Sequence, residues 1–231
     1  MRYLKLIAIS FLILLMPFST QGYDISCRSD LYNILEGESY ILVTGFGPFG
    51  NHEINPSQLI AESLNGTIVN GIYIVGVTLP VDFNDSVDLM IQKIKQYQPL
   101  YVLSIGLDAG SENICIEKVG WNLRKDNYSN KKLFDYYKLD PNGPFIRLSN
   151  LPTFLIAKEI RDAGIPSRNS FFPGLYICNA LLFGTLSYIC TNSLDTKACF
   201  IHVPLMSTQA PSGMKLEKMI DAINITIDFL C

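Results

Sequence analysis

The sequence has few histidines, no strongly basic cluster and no repeated unit. Only two of its 231 residues are histidine, so a histidine-dependent mechanism has few candidates. The net charge is −3 and the basic pairs at 124–125 and 131–132 stand apart, which argues against nucleic acid or an anionic membrane as a partner. The lack of repeats and heptads excludes solenoids and coiled coils. Without a Cys-x-x-Cys pair, a redox thiol protein is also disfavoured.

The one long apolar run lies at the N-terminus. Arg2 and Lys5 precede an almost wholly apolar segment from Leu6 to Phe18, and small residues follow as far as Gly22. This pattern is typical of a signal peptide and is too short for a comfortable membrane span. We therefore predict a signal peptide over residues 1–22, a single domain over 23–231 and a secreted or lumenal location, free of the membrane after signal cleavage. An uncleaved N-terminal anchor is the alternative.

Strand and helix patterns alternate from residue 40 onward. Apolar runs predict strands at 40–44, 72–79, 100–105, 113–119 and 198–203. Helical spacing predicts helices at 57–64, 85–97, 153–163, 176–189 and the C-terminus. This order predicts an α/β fold with helices on both faces of a mostly parallel sheet, whose reactive groups lie at the carboxyl ends of strands.

Cys178 and His202 are the first candidates for chemistry. Cys178 begins an apolar helical run, where unpaired N–H groups and the positive end of the helix dipole stabilise a thiolate. The alternative is a thiol that fills core space as a small hydrophobe. His202 ends a strand just before Pro204, as a functional side chain or as a cap on the strand. His52, in a polar turn, is interpreted as a solvated side chain.

Glu117 interrupts the apolar strand 113–119. At a period of two it shares a face with Cys115 and Val119, and a carboxylate on a buried face needs a partner. A surface salt bridge is one interpretation. The other is a carboxylate that orients a histidine, which in turn deprotonates a thiol.

Four local motifs follow one another along the chain and resemble those of a known family. They are Val43-Thr-Gly-Phe-Gly-Pro-Phe-Gly50 with Asn55-Pro-Ser57, Ile116-Glu-Lys-Val119 with Asn122, Gly174-Leu-Tyr-Ile-Cys-Asn179, and Phe200-Ile-His-Val-Pro204. Together they closely resemble the pyroglutamyl peptidase I (pyrrolidone-carboxylate peptidase) family of cysteine peptidases. The resemblance covers about residues 40–230.

The resemblance implies a three-layer α/β/α sandwich that removes N-terminal pyroglutamate from peptides through an acyl-enzyme, without metal or cofactor. Carried over to this chain, Cys178 is the nucleophile, His202 the general base and then acid, and Glu117 the residue that orients His202. Phe46 and Phe49 match the two phenylalanines that hold the lactam ring; ordinary packing is their alternative role. Some related enzymes are oligomers, so a homo-oligomer is an open expectation.

The sequence departs from the family pattern at several features, and two of them bear on function. The family is mostly cytosolic, whereas this chain carries an export signal, and Leu107 stands where many members have glutamine. These departures leave open a second function, a secreted and catalytically impaired homologue that binds pyroglutamyl peptides or a protein partner. The complete set of Glu117, Cys178 and His202 favours the enzyme, because a binding module has little need for all three.

Sequons and cysteines fit an exported chain. Sequons begin at Asn65, Asn84, Asn127 and Asn224, so we expect a glycoprotein. An even count of six cysteines suggests disulfides in an oxidising compartment. We predict Cys190–Cys199 from their proximity in sequence and Cys27–Cys231 as a clasp of the termini, which leaves Cys115 and Cys178 as thiols. A reversible Cys115–Cys178 disulfide that silences the enzyme is one hypothesis; simple packing of Cys115 is the other.

Overall fold

Strands and helices alternate through the part of the chain that the computed structural model describes, residues 38–125 and 136–231. These residues fall within one unit, Glu36–Cys231. The predicted signal peptide, Cys27 and the sequon at Asn127 lie outside the described residues. The predictions made for them therefore stay predictions, as does the division into residues 1–22 and 23–231.

The described chain contains these elements. The strands are β1 (Tyr40–Phe46), β2 (Ile68–Val69), β3 (Ile72–Leu79), β4 (Tyr101–Leu107), β5 (Ile114–Glu117), β6 (Val119–Trp121), β7 (Arg124–Lys125), β8 (Tyr136–Tyr137), β9 (Ile146–Leu148), β10 (Ser167–Ser170) and β11 (Lys197–Val203). The helices are α1 (Pro56–Leu64), α2 (Asp85–Tyr97), α3 (Thr153–Asp162), α4 (Ile177–Thr191) and α5 (Leu216–Leu230).

The central sheet has seven strands in the order β10-β5-β11-β4-β1-β3-β2. Pairing is parallel between β3 and β1, β1 and β4, β4 and β11, and β5 and β10. It is antiparallel between β5 and β11 and between β2 and β3. The predicted mostly parallel sheet is confirmed, and the last strand of the chain, β11, lies in its interior.

Helices cover the sheet on both sides because its central strands are apolar on both faces. Buried residues of α1, α3 and α5 form one core with one set of strand side chains, including Ile41, Ile105 and Ile201. Residues of α2 and α4 form a second core with the alternate set, including Leu42, Val102 and Phe200. The predicted three-layer α/β/α sandwich is confirmed. No helix in the described part of the chain is long and apolar enough to cross a membrane.

The strand predicted at 113–119 is in fact two strands that meet at Lys118. The Lys118 N–H donates to the carbonyl of Ser170, and its ammonium donates to the carbonyl of Ser149. Beyond this residue the chain leaves the central sheet, and β6 pairs with β9 instead. The two strands therefore belong to different sheets, which the uniform apolar pattern did not indicate.

The loop after β1 is fixed by the side chains of the Asn55-Pro-Ser57 motif. The Asn55 amide donates to the carbonyl of Gly47, and its oxygen accepts from the N–H of Ser57 at the start of α1. The Ser57 hydroxyl accepts from the N–H of Phe46. The helix is held so close that a Cβ on Gly45 would lie 1.9 Å from the Ser57 carbonyl oxygen. Glycine at 45 is thus a packing requirement.

We predict that Gly45→Ala lowers the free energy of unfolding by about 3 kcal/mol, because backbone atoms block the new methyl group. Gly47→Ala is the matched control, since a Cβ there would meet nothing nearer than 4.0 Å. The control is expected to change stability by less than about 1 kcal/mol. Urea unfolding of both variants measures the difference, and equal stabilities would contradict the close packing of α1 on β1.

Candidate active site

The site lies on the face of the sheet that α2 and α4 cover. In the strand register, His202 of β11 is flanked by Gly106 of β4 and by Cys115 of β5. Directly paired residues share a face, so these three positions form one row near the carboxyl end of β11. The next row, one step deeper, contains Ser104, Phe200 and Glu117.

Glu117 reaches His202 from that deeper row. Oε1 of Glu117 lies 2.9 Å from Nδ1 of His202, which donates to it, and the two side chains are only 2% and 7% exposed. Because β5 runs antiparallel to β11, the carboxyl end of β5 lies beneath the histidine and not at the edge where β11 ends. The face shared by Cys115 and Glu117 is as the period of two predicted.

Cys178 lies in the first turn of α4, the helix that covers this face of the sheet, and faces the same row of residues. Its half-buried thiol is hydrogen-bonded to His202. A Cβ on Gly106 would lie 3.0 Å from this sulfur and 2.7 Å from the ring of Phe200. The absence of a side chain at Gly106 therefore makes room for the sulfur beside the histidine. The sequence alone did not indicate why glycine is required at position 106.

The three side chains predicted to act together are thus brought together, in the order Cys178, His202, Glu117. Burial alone lowers the pKa of His202, but the hydrogen bonds to Cys178 and Glu117 and their negative charges outweigh it and raise that pKa from 6.5 to about 10. The imidazole is therefore a strong proton acceptor beside the thiol. A thiol, an imidazole and a carboxylate in series can carry out nucleophilic acyl transfer.

The two candidate binding phenylalanines lie in different surroundings. Phe46 ends β1 on the site's face and is buried, with its ring centroid 6.4 Å from that of Phe200. Phe49 lies in the following loop, is half-buried, and packs its ring 5.3 Å from that of His52. His52 is therefore half-buried and packed against an aromatic ring at a tilted angle, whereas the sequence analysis expected a solvated side chain. The binding roles of both phenylalanines stay predictions.

Asn179 is a site-supporting residue whose role the sequence analysis missed. It follows Cys178 and is fully buried. Its side-chain oxygen accepts from the N–H of Trp121, and its amide nitrogen donates to the carbonyls of Trp121 and Leu123. These bonds tie the start of α4 to the segment that follows Glu117. A buried side-chain amide needs hydrogen-bond partners. An asparagine directly after the cysteine was therefore the available sequence signal.

The predicted Cys190–Cys199 disulfide is wrong, since both cysteines are free. Cys199 points from β11 into the core formed with α1, α3 and α5. Cys190 is exposed at the end of α4 on the other side of the sheet, with its sulfur 3.1 Å from Nη1 of Arg147. The prediction from proximity in sequence was wrong because side chains alternate along β11, and Cys199 points away from α4.

Cys115 lies beside His202 in the register, with its sulfur 3.4 Å from the hydroxyl of Ser111. It is a free thiol, as is Cys178, and the reversible disulfide between them stays a hypothesis. Across the described ranges, no group of three or more histidine, cysteine or acidic side chains is arranged to hold a metal ion.

Comparison with known proteins links this geometry to one family. The family model described as pyroglutamyl peptidase matches residues 39–231. Pyrrolidone-carboxylate peptidase 2 of Caldanaerobacter subterraneus is 38% identical over 196 residues, which span 81% of this chain and 94% of that protein. The Escherichia fergusonii pyrrolidone-carboxylate peptidase is 34% identical over 174 residues, 74% of this chain and 80% of that protein.

Solved structures agree with the sequence comparison. The crystal structure of pyroglutamyl peptidase I from Bacillus amyloliquefaciens superposes with a TM-score of 0.76 at 29% identity, covering 83% of this chain and 96% of that chain. A mutant pyrrolidone carboxyl peptidase from Pyrococcus furiosus gives a TM-score of 0.76 at 28% identity, covering 82% and 96%.

Proposed function

The chain belongs to the pyroglutamyl peptidase family of cysteine-type exopeptidases, and on this premise we propose that it removes N-terminal pyroglutamate from peptides by a Cys178-His202-Glu117 mechanism. One observation carries the proposal. A half-buried thiol, an imidazole and a buried carboxylate are joined in series by hydrogen bonds on one face of the sheet. Glu117 holds the Nδ1 side of the ring, so the other ring nitrogen serves the thiol.

The proposed reaction proceeds in two halves. His202 takes the proton of the Cys178 thiol, and the sulfur bonds to the pyroglutamyl carbonyl carbon as the carbonyl becomes an oxyanion. The imidazolium then gives that proton to the leaving amine as the C–N bond breaks, which leaves a thioester. Water, deprotonated by His202, attacks the thioester and releases pyroglutamate with the thiol restored. Glu117 keeps the ring oriented and stabilises its positive charge throughout.

The start of α4 supplies donors for the oxyanion. Gly174 has a φ of 79°, and the chain turns there before α4 begins at Ile177. Tyr176, the N-cap residue, makes no side-chain cap to the first turn. Backbone N–H groups beside Cys178 can therefore point at the developing negative charge.

The lactam ring of the substrate requires apolar walls, and we propose that Phe46 and Phe49 provide them from the β1 side of Gly106. Leu107, which stands in place of the family's frequent glutamine, is buried at the end of β4. Leu107 departs from the family pattern, but the three side chains of the proposed mechanism are fully assembled. We therefore infer an active enzyme and not the impaired homologue.

Cys178→Ala is predicted to abolish release of a fluorophore from a pyroglutamyl amide. Glu117→Gln is predicted to lower kcat by about 10⁴-fold, because the neutral amide no longer stabilises the imidazolium. The matched control is Cys190→Ser, which changes an exposed thiol on the same helix and should leave the rate unchanged. Wild-type protein with a titrated, reduced Cys178 that releases no fluorophore would favour the binding homologue.

We further propose that the chain enters the secretory pathway and is glycosylated. The support is the N-terminal sequence pattern of residues 1–22, together with the exposed asparagine of two sequons; Ser86 of the second sequon is buried. Asn65 ends α1 and Asn84 precedes α2, and both are exposed, so each can carry a glycan without disturbing the core. At the third described sequon, Asn224 is half-buried within α5 and Thr226 is fully buried.

Expression in a eukaryotic cell line is predicted to release a chain into the medium that begins at Tyr23. N-terminal sequencing identifies the start, and endoglycosidase treatment should reduce the mass. Asn65→Gln and Asn84→Gln should each remove one glycan, so that each variant loses less mass on endoglycosidase treatment than the wild type does. A chain that stays in the cytosol with Met1 intact would overturn the proposal.

A further inference from the structure

Two exposed aromatic side chains and one half-buried one lie together beside the start of α4. The ring of Trp121 lies 5.6 Å from that of Phe145 and 6.4 Å from that of Phe172, both in edge-to-face contact. Phe145 and Phe172 are each 59% exposed, and Trp121 is half-buried. Contiguous exposed aromatic surface usually marks a place where something binds. We call these three residues the aromatic shelf.

Hydrogen bonds fix the position of the aromatic shelf. The indole N–H of Trp121 donates to the carbonyl of Phe171 at 2.9 Å. The backbone of Trp121 is bonded in both directions to the buried side chain of Asn179, the neighbour of the proposed nucleophile. The shelf and Cys178 therefore share one rigid support.

The order of strands tells on which side of Cys178 the shelf lies. Phe46, on β1, stands on one side of β4 and its Gly106, while His202 and Glu117 stand on the other, on β11 and β5. Adjacent strands are about 4.8 Å apart, so these groups are spread across the sheet. Trp121 follows β5 through β6, Phe172 follows β10, and Trp121 is bonded to Asn179 beside Cys178. Because β5 and β10 lie on the far side of β11 from β1, we infer that the shelf flanks the site on the side away from Phe46.

A pyroglutamyl peptide must cross the site in one direction. If its lactam ring contacts Phe46, its scissile carbonyl meets Cys178 and its leaving amine lies next to His202, which must protonate it. The rest of the peptide then continues toward β5 and β10, where the aromatic shelf is. Two arginines of the neighbouring segments make contacts elsewhere: Arg124 lies over the ring of Phe83, and Arg147 contacts Cys190.

We propose that the aromatic shelf binds the side chain of the residue that follows pyroglutamate, and that the enzyme prefers peptides in which that residue is aromatic or a large aliphatic. The inference rests on the proposed function and names the substrate class of the same site. Aromatic contacts on such a surface favour an aromatic second residue over glycine by about tenfold in kcat/KM.

Trp121 is the one tryptophan of the sequence, so its fluorescence reports on the shelf directly. The Cys178→Ala variant is titrated with pyroglutamyl-Phe-amide and with pyroglutamyl-Gly-amide, each to an occupancy measured by calorimetry. Fluorescence is expected to change with the first peptide and to stay constant with the second. The proposal is overturned if pyroglutamyl-Phe-amide binds without changing the fluorescence, or if both peptides change the fluorescence equally.

Kinetics supply the second test. Phe172→Ser is expected to lower the ratio of kcat/KM for the Phe peptide over the Gly peptide by about fivefold or more. Phe229→Ser is the matched control, since Phe229 is also exposed but lies on α5, in the opposite helix layer, and the ratio should not change.

The outcomes separate the two proposals. Wild-type protein that neither binds nor cleaves any pyroglutamyl peptide refutes the proposed function and the shelf with it. Cleavage of both peptides at equal efficiency refutes the shelf alone. If Phe172→Ser changes the molecular mass in solution but not the substrate ratio, the aromatic surface is an interface between copies, and the shelf is again refuted.

Discussion

The hydrogen bond between Glu117 and His202 is the contact on which the site depends. Both side chains are buried, and removing a charged group from water costs several kcal/mol unless a partner compensates it. The other carboxylate oxygen, Oε2, finds no hydrogen-bond partner among the described residues, so His202 is the main compensation. A one-residue slip of β5 would turn Glu117 into the opposite apolar core. The pair therefore fixes the register that also sets Cys115 beside the histidine.

Much of this arrangement could be predicted from the sequence because local rules determine it. Apolar runs between glycines and prolines gave the central strands, and helical spacing gave α1 to α5 within a few residues. The period of two placed Cys115 and Glu117 on one face. The motif around Cys178 and the position of His202 at the end of a strand then gave the members of the site, although not their distances.

The remainder depends on contacts between distant parts of the chain. β5 has only four residues, and nothing local states that it pairs antiparallel with β11 and parallel with β10. The pairing of Cys190 with Cys199 failed because the layer that α4 joins is decided by the whole sheet. The contact of Asn179 with Trp121 spans 58 residues and was equally hidden. In each case the local pattern is correct, and the choice between its possible partners is non-local.

The interior place of β11 has a consequence for how the protein comes into being. This strand is the last of the chain to be synthesised, yet β4 and β5 both pair with it. Until residue 203 has emerged, β5 has no β11 to join, and Cys178 has no histidine to take its proton. The central sheet of the nascent chain therefore stays incomplete until β11 has been made. Its thiol acquires its histidine partner only when β11 joins the sheet, so synthesis itself delays activity until this strand is in place.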